Sequence, residues 1–137
     1  MSTAPNTFEG SCLCGAVRYQ VSGTPDLFFL CHCSRCRKGT GSAHASNMFI
    51  PDGKLVWLSG EDVVTSFAVE GAQHARAFCS RCGSPVPIVR PGGRVKLPAG
   101  SLDTNAGMRP LAHIWTGSRA DWDEHLEDVT AFDERPG

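Results

Sequence analysis

The chain has 137 residues, a formal net charge of -1 and 20% charged side chains. That length suits one domain with a real core, and the balanced charge argues against a general nucleic-acid or membrane-surface binder. No apolar run approaches the roughly 20 residues of a membrane span, and the opening MSTAPNTFEG lacks a charged-then-apolar leader, so a cytoplasmic protein without membrane or nucleic-acid partners is expected.

The first periodic segment is Val17, Tyr19 and Val21, alternating with Arg18 and Gln20 as a half-buried strand does. Phe28 to Leu30 is apolar and runs into the hexapeptide CHCSRC. Ala45 to Ile50 and Lys54 to Leu58 read as two strands joined by the turn Pro51-Asp52-Gly53. Val63 to Val69 and Ala75 to Phe78 read as another pair. Val86 to Arg90 and Arg94 to Leu97 flank Pro91-Gly92-Gly93 in hairpin fashion, and Leu111 to Trp115 is a late strand. Only Arg119 to Asp128 has much helical character. With 15 glycines and 9 prolines spread throughout, the sum is a single, mainly β domain of several short sheets, packed as a sandwich or a partly open barrel.

Seven cysteines dominate the chemistry. An odd count, no secretion signal and strained Cys-x-Cys spacing all speak against disulfides. Residues i and i+2 of an extended strand face the same way, so Cys12 and Cys14, or Cys31 and Cys33, can aim two sulfurs at one ion. Cys79-Ser80-Arg81-Cys82-Gly83 has the form of a knuckle, with Gly83 free to take a positive φ. Thiolates at these spacings favour zinc. Cys12, Cys14, Cys79 and Cys82 would make a closed four-thiolate site, leaving Cys31, Cys33 and Cys36 as a trio with one open position. That division is preferred because it keeps each local cluster intact. The alternative joins Cys33 and Cys36 to Cys79 and Cys82 and strands the other three.

Five histidines and four basic residues need placing beside these sulfurs. His32, extended between two cysteines, should face away from both sulfurs. His44 follows Gly39-Thr40-Gly41-Ser42 and is expected as a pocket residue reaching back towards the trio. His74, His113 and His125 have no cluster partners in sequence and are taken as structural or solvated. Arg35 and Arg81 sit among the thiols and can offset their charge. Arg37 and Lys38 are surplus to that need and can attract a carboxylate.

GSCLCGAVRYQV, CHCSRCRKGTGS, FCSRCGSPV, AGSLD and AHIWTGSRADW follow in an order that resembles the glutathione-dependent formaldehyde-activating enzymes and the centromere-protein-V-like proteins. The likeness spans roughly residues 8 to 132. It implies a mostly β fold of short coiled antiparallel sheets around zinc-binding knuckles, with two zinc ions per chain. Cys12, Cys14, Cys79 and Cys82 would hold a structural zinc, and Cys31, Cys33 and Cys36 a second zinc near the active site. It further implies a carbon-sulfur lyase-type enzyme acting on a small thiol-aldehyde adduct, with glutathione and formaldehyde giving S-hydroxymethylglutathione. The centromere-related branch implies the other reading, a non-catalytic zinc module that binds a partner. Such a module should carry a basic tail or an exposed apolar strip, and the sequence shows neither, since Asp121 to Glu134 is acidic.

Overall fold

The computed structural model describes residues 6–137. Eleven strands form three sheets. The first sheet contains β1 (Asn6–Ser11), β2 (Arg18–Gly23) and β5 (Lys54–Ser59), in the order β1-β2-β5. The central sheet has the order β11-β3-β4-β10-β9, from β3 (Leu27–Cys31), β4 (Ala45–Ile50), β9 (Ile88–Val89), β10 (Val95–Pro98) and β11 (Ala112–Ile114). The third joins β6 (Val64–Ala68), β7 (Ala75–Cys79) and β8 (Pro85–Val86). All pairings are antiparallel except that of β11 with β3, which is parallel. The expected mainly β fold of short sheets is what forms. Among the described residues no helix is long and apolar enough to cross a membrane.

Period-two patterning explains how the first two sheets meet. Phe8, Tyr19 and Val21 of the first sheet and Phe28, Met48, Ile50, Val95 and Leu97 of the central sheet form one buried cluster. Their alternate neighbours point away, which is how Lys96 comes to lie outside this core between Val95 and Leu97. Gly10 is required where β1 crosses Tyr19, since a Cβ there would collide with the Tyr19 ring and the Ser101 carbonyl. The Tyr19 hydroxyl meets Ser101 Oγ. Burial is the main cause that pushes the phenol up to about 12.

Two local expectations are corrected. The segments 45–50 and 54–58 are strands joined by a turn, but they do not pair. β4 lies between β3 and β10, whereas β5 pairs with β2. The turn therefore carries the chain from one sheet to the other instead of closing a hairpin. Secondly, the stretch Arg119 to Asp128 is not an α-helix. It holds only a 3-10 turn at Leu126–Asp128. Of its side chains only Ala120 is buried, so no apolar stripe exists to hold a helix against the core.

The α-helix of the described residues is instead α1 (Ser34–Thr40), inside the cysteine-rich segment. Cys33 caps it, its sulfur accepting the Cys36 amide at 3.3 Å. Gly41, at φ 68°, ends it by donating to the Arg37 carbonyl. Two residues expected in a glycine-rich loop, Gly39 and Thr40, are thus its last turn.

Candidate metal centres and the cleft between them

The first cluster is assembled from two turns. Cys12 and Cys14 lie in the β1–β2 connection, where the Gly15 amide donates to the Cys12 carbonyl at 3.1 Å and the Val17 amide to Cys12 Sγ at 3.3 Å. The pair is therefore a tight turn and not the extended strand expected, yet both sulfurs still converge. Cys79 ends β7 and Cys82 follows in a knuckle. The Arg81 amide donates to Cys79 Sγ at 3.4 Å, and Gly83 takes the expected positive φ, 79°. The four sulfurs all lie within 4.8 Å of one another. Cys12 to Cys14 is 3.6 Å and Cys14 to Cys79 is 3.9 Å. Tetrahedral zinc with Zn–S of about 2.3 Å requires sulfurs about 3.8 Å apart, so the donor set fits that ion. The hydrogen bond to Ser84 is the leading cause that draws the Cys82 thiol down to about 5, favouring the thiolate a metal needs.

The second cluster is local. Cys31 ends β3, Cys33 is the extended cap residue and Cys36 sits in the first turn of α1. Their sulfurs also lie within 4.8 Å of one another, and among the described residues no histidine or carboxylate completes a fourth corner. Cys33 and Cys36 group with Cys31 and not with Cys79 and Cys82, the arrangement the alternative division needed. Burial is the first cause that raises the Cys31 and Cys36 thiols. Cys33 is only half-buried; desolvation raises it, but hydrogen bonds from the Cys36 and Arg35 amides and from the neighbouring thiols draw it below its ordinary value. Three sulfurs that cannot all ionise unaided are suited to a cation.

A cleft of about 570 Å³ runs between the two clusters. Cys12 and Ser84 line it on one side, and Cys36 and Thr40 on the other. Its remaining polar lining includes His74, Arg76 and Lys96. None of these three stood out in the sequence as a site residue. Arg37 and Lys38, expected to face a carboxylate, are not in this lining. They lie in the last turn of α1, where cations favour the helix C-terminus, and Arg37 Nε donates to the Ser118 carbonyl at 3.2 Å.

The histidines also regroup. His44 does not join the trio. Its ring lies 5.1 Å from that of His32 and 6.4 Å from that of His113. It lines a second cavity, of about 440 Å³, with His32, His113 and His125. His32 does turn away from the sulfurs as expected and is only 3% exposed. Its Nε2 lies 2.8 Å from His113 Nδ1, and its Nδ1 lies 2.9 Å from Asp123 Oδ2, close but poorly aligned for a hydrogen bond. His113, expected to be solitary, thus has a partner. The cause is the parallel register of β11 on β3, which sets His113 opposite Leu30 and Ile114 opposite Cys31.

A family model described as glutathione-dependent formaldehyde-activating enzyme matches residues 7–118. The chain belongs to that family. A Halomonas elongata protein that carries the family's name is 33% identical over 135 residues, covering 85% of this chain and 79% of that protein. The crystal structure of a Rhodobacter sphaeroides protein is similar with a TM-score of 0.53 at 24% identity, covering 74% of this chain and 97% of that one. That second likeness is one of fold. The family's name brings glutathione and formaldehyde to the reading of the cleft.

Proposed function

We propose that this family member is a zinc-dependent, carbon-sulfur lyase-type enzyme that joins a small thiol to formaldehyde and reverses the step, as in glutathione plus formaldehyde giving S-hydroxymethylglutathione. The observation that carries the reading is the position of the trio. It offers three sulfurs and an uncompleted corner, and its member Cys36 lines the cleft. Cys12, Cys14, Cys79 and Cys82 would hold one zinc ion, and Cys31, Cys33 and Cys36 a second. A zinc ion with an open position supplies the charge that keeps a substrate thiol ionised near neutral pH.

The chain's own residues account for the rest. Cys36 and the first turn of α1 set the cleft wall against which the thiol would rest. Thr40, Ser46 and Asn47 line the same cleft and offer polar side chains to the aldehyde oxygen. Addition forms the carbon-sulfur bond, converts the carbonyl to an alkoxide and needs one proton to give the hydroxymethyl group. Reversal returns that proton and releases both reactants.

The test is magnetisation exchange between carbon-13 formaldehyde and S-hydroxymethylglutathione, on protein shown by metal analysis to carry two zinc ions. Exchange faster than the uncatalysed rate is expected, and it should disappear in Cys33→Ser. No acceleration by the two-zinc protein would reject the enzyme.

The second reading, a non-catalytic zinc module, draws support from one observation the sequence did not disclose. Leu111, Trp115, Trp122, Leu126, Val129 and Phe132 are all exposed large apolar side chains. They give the C-terminal segment the apolar surface that such a module would need. The exchange measurement separates the two readings.

A further inference from the structure

The cleft has a cationic end. Lys96 is presented to it by the period of β10, because Val95 and Leu97 on either side point into the core. Its ammonium donates to the Ala75 carbonyl, which ties it to the start of β7. Arg76 follows on that strand, with its guanidinium 4.9 Å from the centre of the Phe78 ring. A Cβ placed on Gly39 of α1 would lie 3.5 Å from Arg76 Cδ, so the arginine stem lies along the helix that carries Cys36. Neither Lys96 nor Arg76 is among the ion pairs found in the described residues. His74, in the same lining, is held below its ordinary value by burial first, and then by Lys96, Arg35, Arg76 and Arg90. It therefore stands ready as a neutral hydrogen-bonding group, not as a counter-charge. The one carboxylate in the lining, Asp103, is on the other side, where its Oδ2 accepts from Ser11 Oγ beside Cys12.

Partly buried cations without a carboxylate partner are costly to hold out of water, and a bound anion relieves that cost. Arginine adds a planar fork matched to carboxylate. The trio sulfurs supply part of the compensation for Lys96, but Arg76 is anchored from the third sheet. We propose that Lys96 and Arg76 form the selectivity end of the cleft, binding a carboxylate of a thiol whose sulfur is directed to the Cys36 side. The inference rests on the reading of the cleft as a thiol site, and it assigns the carboxylate to these residues in place of Arg37 and Lys38.

The experiment separates carboxylate recognition from catalysis by using a ligand with no thiol. Zinc-loaded protein is titrated by calorimetry with S-methylglutathione, which keeps both carboxylates, and with its diethyl ester. The free acid should bind at least about tenfold tighter than the ester, the factor expected of charge-assisted hydrogen bonds. Lys96→Met should remove most of that ratio and Arg76→Met part of it, with zinc content unchanged in both. Should Lys96→Met fail to fold, Arg76→Met reads the same ratio from a different sheet. Equal binding of acid and ester by the wild type overturns the proposal, and so does a ratio that survives both substitutions. Loss of zinc in Lys96→Met with no acid preference in the wild type would also overturn it, leaving the cations as counter-charge to sulfur alone. The formaldehyde exchange rate on the same samples tests the enzyme reading separately: exchange without acid preference rejects only the carboxylate assignment, and acid preference without exchange rejects only the chemistry.

Discussion

The two cysteine clusters use the same atoms for different mechanical ends. Cys12 and Cys14 leave the first sheet and Cys79 and Cys82 leave the third, so four sulfurs link segments 65 residues apart. The trio links nothing distant. Its three sulfurs fall within six residues, where a strand ends and a helix begins. A metal bound by the first set would close a long loop and contribute directly to folding. A metal bound by the second would mainly complete a local shape at a cleft wall. Where ligands come from in the chain thus separates a strut from a site more clearly than their number does.

Removing a sulfur from the strut should have the largest effect. Cys79 is fully buried and ends β7, so Cys79→Ser deletes one corner and leaves a polar group in an apolar cluster with Val17, Ala77 and Val86. Structural zinc in small domains is worth on the order of 10 kcal/mol, comparable with the whole stability of a domain. The expected result is protein that does not reach a cooperatively melting state in calorimetry. A soluble variant that melts normally would show that the first cluster is no strut.

Cys33→Ser should spare the fold. Serine is itself a good helix cap, so the substitution keeps the start of α1 and removes only the sulfur. Metal analysis should fall from two zinc ions per chain to one, with a small loss of melting temperature and loss of formaldehyde exchange. Retention of two tightly held ions would remove Cys33 from the ligand set.

Kinetics offer a gentler form of the same contrast. A competing chelator should withdraw one zinc ion quickly and without change in the circular dichroism spectrum. The second should leave only as fast as the protein unfolds, because its release breaks the link between sheets. Simultaneous release of both, with intact secondary structure, would erase the distinction drawn between the clusters.

Much of this was legible in the sequence because it is local. Val17, Tyr19 and Val21 announce a half-buried strand by period alone, and the glycine after Cys82 announces a knuckle. The hairpin of β6 and β7 follows from proximity along the chain. What was not legible depends on non-local register. Nothing between residues 45 and 58 says that β4 and β5 belong to different sheets, since the turn alone suits a hairpin equally well. The meeting of His113 with His32 needs the parallel pairing of β11 on β3. Lys96 reads as one more charged residue in a strand until the third sheet is brought against β10. The helix α1 was missed for another reason. Its seven residues end in Gly39-Thr40 with Gly41 next in the chain, which reads as a loop, and a cysteine serves as its cap where serine, threonine, aspartate or asparagine is the usual mark.

Arg37 gives the smallest expected effect and the sharpest comparison between composition and placement. By composition it is the natural carboxylate contact, one residue after Cys36 in a basic run. By placement it is a half-exposed residue at the C-terminal end of a short helix. Among the described residues the one polar contact of its side chain is donation to the Ser118 carbonyl. An exposed hydrogen bond and a favourable end-of-helix charge each contribute less than about 1 kcal/mol. Arg37→Ala should therefore lower the melting temperature only slightly, leave zinc content at the wild-type level and keep the preference for S-methylglutathione over its diethyl ester. Lys96→Met, measured beside it, should do the reverse, losing the preference while keeping the metal. If Arg37→Ala abolished the preference and Lys96→Met did not, the carboxylate would sit over the end of α1 and outside the cleft. The two substitutions each remove one cation, so net charge is matched, and the position of the lost charge accounts for a difference between them.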